Sequence, residues 1–458
     1  MTTTTEAAPH RGRRWIEHWD PENADFWAST GKKIANRNLW FSIFTEHIGF
    51  SIWSLWSVMV LFMGPKYGLS VGDKFLLTST PTLIGSCVRI PYTFAVARFG
   101  GRNWTVVSAL LLLIPSIGAA IVMKPGTPLG VFLAVAVLGG FGGGNFASSM
   151  TNINTFFPEK AKGMALGLNA GGGNIGVAVI QLVGLLVIAT SGTTSPRIVL
   201  AVYIPLIVVA ALCAALFMDN IASVRNDKKG MREVMKDAHS WVMSFLYIGT
   251  FGSFIGYSFA FGLVLQNQFG RTPLQAAYVT FLGPLLGSVS RPVGGWLSDR
   301  LGGGRVTFWN FVGMAVMTVL LIVASEQKSL AMFTAAFIVL FVLTGIGNGS
   351  TYKMIPAIFR AKAKAAIEAG ADEAAELLNA RKLSGALIGL AGAIGAFGGL
   401  LINLAFRQSF LSTKSGVSAF VGFLAFYGVC FVVTWVVYLR KSSAPVSEKG
   451  LALAGAQV

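Results

Sequence analysis

The sequence predicts an all-α polytopic membrane protein, with 12 transmembrane helices in two pseudo-symmetric six-helix bundles. Three observations carry that prediction. Of the 458 residues, 54% are hydrophobic and only 12% charged, with a mean hydropathy of +0.65, so hydrocarbon rather than water is the main solvent. Apolar windows of about 20 residues recur along the chain, the length a helix needs to cross a hydrocarbon layer of roughly 30 Å. The two halves also repeat one pattern of arginines set inside apolar stretches.

Residues 1–37 are polar, carry Trp15, Trp19 and Trp27, and contain no apolar signal-peptide core. They read as a cytoplasmic interfacial segment, and the first span is expected to serve as a retained targeting signal. Spans are expected near 38–63, 76–97, 104–123, 128–150, 164–190 and 198–219, which make the N-terminal bundle, 38–219. The charged stretch 220–240 reads as a cytoplasmic linker. Further spans near 241–265, 274–298, 306–325, 330–357, 383–405 and 417–439 make the C-terminal bundle, 241–439. The Ala-, Glu- and Lys-rich segment 361–382 reads as a short water-facing helix, and the cytoplasmic tail, 440–458, is expected to be disordered from 441.

The net charge of +17 raises the question of a nucleic-acid partner. Most of the 36 Lys and Arg, however, fall in segments on one side of the expected spans, as the positive-inside rule requires of a cytoplasmic-membrane protein with both termini inside. Topology and contact with anionic lipid account for the charge without nucleic acid. Cys87, Cys213 and Cys430 lie in apolar windows without metal-ligand spacing and read as packing residues.

The internal repeat is specific. In VRIPYTFAVARFGGR (88–102), Arg89 is followed by Pro91 and, nine residues on, by Arg98; in SRPVGGWLSDRLGGGR (290–305), Arg291 is followed by Pro292 and, nine residues on, by Arg300. GFGGGNFASSM (140–150) and GIGNGSTYKM (345–354) match more loosely. Related halves with a site at their interface near mid-membrane are the architecture of many secondary transporters.

An ionisable group in hydrocarbon is costly and marks function by default. The deep candidates are Glu46, His47, Arg89, Arg291, Lys353 and, nearer the inner edge, Asp299. Snorkelling and helix-pairing salt bridges are the plainer explanations. Arg89 and Arg291 sit too far inside their spans to snorkel easily, and with Lys353 they make a positive cavity for an anion. The planar guanidinium fork suits an oxyanion with coplanar oxygens, nitrate, nitrite or a carboxylate. GMALGLNAGGGNIGVAVIQ (163–181) adds closely spaced glycines with Asn169, Gly171 and Asn174, and serves equally for helix packing and for function. Phe146, Tyr257 and Phe261 are aromatic candidates to stack on a planar anion, though nothing in the spacing selects them among 34 phenylalanines. In GWLSDRLGGGR (295–305), Asp299 and Arg300 at a helix end read as gating residues that lock the bundles together.

These segments resemble the major facilitator superfamily, and within it the bacterial nitrate/nitrite porter family, over essentially the whole chain. GWLSDRLGGGR is similar to the superfamily's cytoplasmic loop motif, with VARFGGRNW (96–104) as a weaker copy lacking the aspartate. NFASSMTNINTFFPEKAKGMALGLNAGGGNIGVA (145–178) and GTFGSFIGYSFAFGL (249–263) resemble the family's more specific signatures. The resemblance implies that Arg89 and Arg291 bind the anion, that Phe146 and Phe261 stack on it, that Tyr257 and the span-five residues Asn169, Gly171 and Asn174 complete the pocket, and that nitrate or nitrite outranks a carboxylate. No cofactor or metal is expected, and no nucleophile–base pair suggests an enzyme. Glu46, His47 and Lys353 are the candidates for proton coupling. The Glu46–His47 pair favours nitrate/proton symport over nitrate/nitrite antiport, and a potential-driven symporter needs two or more protons per nitrate. A membrane sensor that binds an anion without moving it is the rival of another class.

Overall fold

Helix boundaries in this chain are set by capping side chains and by glycine. The computed structural model describes residues 14–224 and 228–440, and apart from a two-residue parallel pairing of β1 (Trp15–Ile16) with β2 (Asn220–Ile221) the described regular structure is helical. Apart from the short α-helices Ala24–Phe26 and Lys228–Lys236, the latter inside the expected linker, the α-helices in chain order are α1 (Lys32–Trp53), α2 (Leu55–Phe62), α3 (Val71–Phe99), α4 (Gly101–Leu111), α5 (Leu113–Val122), α6 (Leu129–Leu138), α7 (Phe141–Phe156), α8 (Glu159–Ser191) and α9 (Arg197–Phe217). They continue with α10 (Ala238–Tyr247), a π-helical turn at Ile248–Gly252, α11 (Ser253–Phe269), α12 (Pro273–Thr280), α13 (Leu282–Leu301), α14 (Gly303–Glu326), α15 (Leu330–Glu368), α16 (Glu373–Thr413) and α17 (Val417–Thr434).

Corresponding turns obey the same local chemistry. Ser70 and Asp73 form a capping box that starts α3, and Thr272 and Gln275 form another that starts α12, each satisfying amides the first turn leaves free. Gly100 (φ +88°) ends α3 two residues after Arg98, and Gly302 (φ +87°) ends α13 two residues after Arg300. Only glycine holds that backbone cheaply, so the sequence repeat becomes a repeated sharp turn.

Among the described residues, nine helical stretches are long and apolar enough to cross a membrane. The other long stretches, α1 with α2, α3, and α12 with α13, hold Glu46 and His47, Arg89, and Arg291 respectively. Segment 361–382 is not a separate helix. Residues up to Glu368 continue α15, those from Glu373 begin α16, and the break falls at Gly370 (φ +98°). Helices bonded to themselves run on past the hydrocarbon until a residue with positive φ stops them. The tail from Lys441 lies outside the described residues.

The tryptophan-bearing N-terminal segment lies against the bundle end that carries residues 156–159 and 219–221. Trp19 donates through Nε1 to the Thr155 carbonyl (3.1 Å) and meets Phe156 edge-on, Trp27 packs on Phe157, and the Asp219 carboxylate binds Arg37 (2.5 Å), Arg14 and Asn38. This is the basic end of the molecule. At the opposite end the two halves of the chain close on each other. Phe75 stacks on Phe406 and Phe410, and the Thr78 hydroxyl donates to Asn403 Oδ1 (3.0 Å).

Glycine divides into two structural classes. A Cβ at Gly142 would overlap the Gly49 carbonyl, and one at Gly345 the Gly287 carbonyl, so these positions bring helices into backbone contact. By contrast, Cβ atoms at Gly163, Gly167 and Gly171 on α8 and at Gly385 on α16 would meet nothing within 4 Å. Those residues run from exposed Gly163 and Gly385 at the basic end to buried Gly171, tracing an opening toward the centre.

Candidate functional site

The centre of the molecule holds two buried guanidinium groups, one from each arm of the repeat. Arg89 on α3 is 0% exposed and Arg291 on α13 is 5% exposed. Arg89 donates through Nε to the Gly143 carbonyl of α7 (3.0 Å) and through Nη1 to the Gly392 carbonyl of α16 (2.8 Å), so it ties the first half of the chain to the second. Its Nη2 is buried and without a partner among the described residues, as is Nη1 of Arg291. Arg291 Nη2 donates to the Tyr247 hydroxyl (3.3 Å).

Aromatic rings enclose both groups. The Phe146 ring lies 4.6 Å from the Arg89 Cζ and 6.0 Å from that of Arg291, so one ring faces both charges. Phe251 lies 5.1 Å and Trp53 5.3 Å from Arg89, while Tyr352 lies 4.8 Å from Arg291. Tyr247 stacks on Phe251 (5.1 Å, 8°) and leans on Tyr352 (5.2 Å). Cation–π contacts of this kind contribute about 2 kcal/mol when desolvated, which offsets part of the cost of burying charge. The unpaired guanidinium N–H groups keep their full desolvation penalty, about 1–3 kcal/mol each or more. A small planar anion accepting from both forks removes it.

Glu46 adjoins this cage. It is 1% exposed; its Oε2 accepts from the Ser149 hydroxyl and from Asn169 Nδ2 (2.6 Å), and Ser149 lies one helical turn beyond Phe146. Asn169 Nδ2 also donates to Ser149 Oγ (2.9 Å). Asn174 is fully buried with neither amide atom bonded among the described residues. His47 is half-buried, its Nδ1 3.2 Å from the Gly172 carbonyl. The structure thus brings Arg89, Arg291 and Phe146 together, with Glu46 and Asn169 beside them and Gly171 on the opening.

Three expectations are corrected. Tyr257 and Phe261 do not face the arginines. The Tyr257 hydroxyl pairs with that of Tyr427 (2.5 Å) and its ring packs among Phe337, Phe341, Phe406 and Phe423, while Phe261 stacks on Phe337 (4.3 Å). Their places are taken by Tyr247 and Phe251, ten residues earlier, about 15 Å along a helix at 1.5 Å per residue. The signal for them was present, since Tyr247 and Phe251 have the same spacing of four as Tyr257 and Phe261. The intervening π-helical turn shifts the helix phase that sequence counting assumes. Lys353 likewise adds no charge to the cage. It pairs with Asp299 (2.8 Å), and both are well exposed, because its long stem carries the ammonium to the helix ends. Arg300 lies over the Trp296 ring (4.1 Å). Tyr352 and Trp53 carried no sequence signal that separates them from packing aromatics. Among the described residues there is no cluster of three metal-ligating side chains.

The chain as a whole is similar to known proteins. The family model described as Major Facilitator Superfamily matches residues 39–371. The chain is 40% identical over 451 residues to "Nitrate/nitrite transporter NarU" of Escherichia coli (strain K12), covering 94% of this chain and 97% of that protein. It is 32% identical over 459 residues to "Probable nitrate/nitrite antiporter NarK2" of Thermus thermophilus, again covering 94% and 97%. The fold resembles that of a D-xylose–proton symporter (TM-score 0.61, 15% identity, 88% of this chain and 97% of that one). It also resembles a bacterial homolog of the lysosomal transporter Spinster in an inward-facing and occupied conformation (TM-score 0.62, 16% identity, 87% and 95%).

Proposed function

The chain belongs to the major facilitator superfamily and, within it, to the bacterial nitrate/nitrite transporters, and we propose that it carries nitrate, nitrite or both across the cytoplasmic membrane by alternating access. The observation that carries this reading is the pair of buried guanidinium groups from opposite halves, each with an unclaimed N–H and both over the Phe146 ring. Arg89 and Arg291 clamp the edge of the planar anion. Phe146 and Phe251 face it, Tyr247 holds Arg291 in place, and Asn169, Gly171 and Asn174 border it from α8.

In this reading twelve spans form two six-helix bundles, 38–219 and 241–439, joined by a cytoplasmic linker at 220–240, with both termini, 1–37 and 440–458, cytoplasmic. The nine apolar stretches are joined by the three that bear the charged site residues. The basic end then faces the cytoplasm, and the outer end is closed by Phe75, Phe406 and Phe410. Asp299 and Arg300 take part in the gate on that side. Without an anion the site brings two guanidinium charges close together, so closing around an anion costs less than closing empty.

Nitrate/proton symport is favoured by Glu46, a carboxylate beside the cage, and nitrate/nitrite antiport is the second reading, favoured by the name of the Thermus relative. The test is counterflow in proteoliposomes: labelled nitrate enters vesicles preloaded with nitrate or nitrite, and formate does not replace either. Anion binding without counterflow would mean a sensor and sink the transport reading.

A further inference from the structure

Glu46 differs from the other buried carboxylate of the protein. Among the described residues only Glu46 and Asp219 are buried acids. Asp219 is held by Arg37 and Arg14 at the bundle end, whereas no ion pair to Glu46 forms within 4.0 Å among the described residues. Its cluster is also short of donors. Oε2 accepts twice, but Oε1 and the neighbouring Asn169 Oδ1 are both buried without a donor. One proton on Glu46 gives the cluster the donor it lacks.

The charged and titratable surroundings are few. Helices α7 and α8 set Ser149, Asn169 and Gly173 against the carboxylate, none of them titratable. Beyond them Arg89 of α3, Arg291 of α13 and Tyr352 of α15 act on it electrostatically, and His47 of its own helix turns to the Gly172 carbonyl. Ionised, Glu46 offsets part of the positive field that attracts the anion. Protonated, it leaves that field whole.

We propose that Glu46 takes up one proton with each anion, making it the proton-carrying group of an electroneutral one-to-one symport. This rests on the transport reading above. The carboxylate borders the anion's cage, so both proton and anion load and unload on the same side. By linkage each strengthens the other's binding by the same factor. One positive and one negative charge cross together, and uptake follows the pH gradient rather than the membrane potential.

The first test uses the wild type. In weakly buffered detergent solution with a pH dye, saturating nitrate draws protons from the medium, up to one per bound anion where Glu46 starts ionised, and apparent nitrate affinity rises as pH falls. Binding without proton uptake at any pH overturns the proposal. The second test uses proteoliposomes in which counterflow establishes transport, and absent counterflow defeats the parent reading as well. With counterflow present, net uptake follows an inward proton gradient and ignores a potassium diffusion potential at uniform pH. Glu46→Gln lowers the ratio of gradient-driven uptake to counterflow about tenfold or more, and His47→Gln keeps it. Gradient-driven uptake retained by Glu46→Gln, or wild-type uptake that responds to potential alone, refutes the assignment. Should Glu46→Gln not fold, proton uptake by the wild type still decides.

Discussion

Replacing Arg291 with lysine separates anion recognition from folding. Arg291 gives one N–H to the Tyr247 hydroxyl and leaves another unclaimed in a buried cage, so its side chain is committed to the pocket more than to the scaffold. Lysine keeps the charge but loses the planar fork. One charge-assisted hydrogen bond to the anion goes with it, about 1.5–3 kcal/mol. At 1.4 kcal/mol per factor of ten, nitrate binding weakens about ten- to a hundredfold. Isothermal titration on purified protein measures this directly, with Arg300→Lys, which sits outside the cage over Trp296, as the control. Arg89 is the poorer choice because it also bonds the Gly143 and Gly392 carbonyls and so couples affinity to closure of the halves. A folded Arg291→Lys protein that binds nitrate within about threefold of wild type would refute the clamp, since an anion not held by that fork loses nothing from its removal.

The remaining predictions follow from neighbouring contacts. Tyr247→Phe frees Arg291 from its hydroxyl partner and weakens nitrate binding about five- to tenfold, the worth of about one hydrogen bond, whereas Tyr257→Phe leaves affinity unchanged and costs about 1 kcal/mol of stability through the Tyr427 contact; paired titration and thermal unfolding distinguish them. Gly171→Leu fills open space on the glycine-lined opening and blocks counterflow in a folded protein, while Gly345→Leu collides with the Gly287 backbone and abolishes a folded peak in size-exclusion chromatography. Lys353→Ala removes an exposed pair with Asp299, changes stability by about 0–1 kcal/mol after solvent screening, and leaves nitrate affinity intact by titration.

Much of the candidate site was legible in the sequence. Arg89 and Arg291 stood out because a charge in hydrocarbon is expensive wherever its helix points, and because the repeat marked both arms. Glu46 stood out for the same reason, but its partners did not: Ser149 and Asn169 come from α7 and α8, and only packing joins them to α1. The glycines of 163–181 were ambiguous because one helix has two faces. Gly163, Gly167 and Gly171 border open space, while a Cβ at Gly172, Gly173 or Gly176 would strike Ile43, Glu46 or the His47 carbonyl.

By itself, the sequence determined the all-α membrane class, the repeat that turns twice at Gly100 and Gly302, and the anionic character of the ligand, since hydrophobic length, backbone handedness and charge are properties of short segments. Only the tertiary structure decided which tyrosine–phenylalanine pair meets the arginines, that Lys353 belongs to Asp299, and that segment 361–382 splits between two long helices. Spacings of four recur along every helix, and which recurrence faces the site depends on helix phase, here reset by the π-helical turn at Ile248–Gly252, and on which helices pack against it.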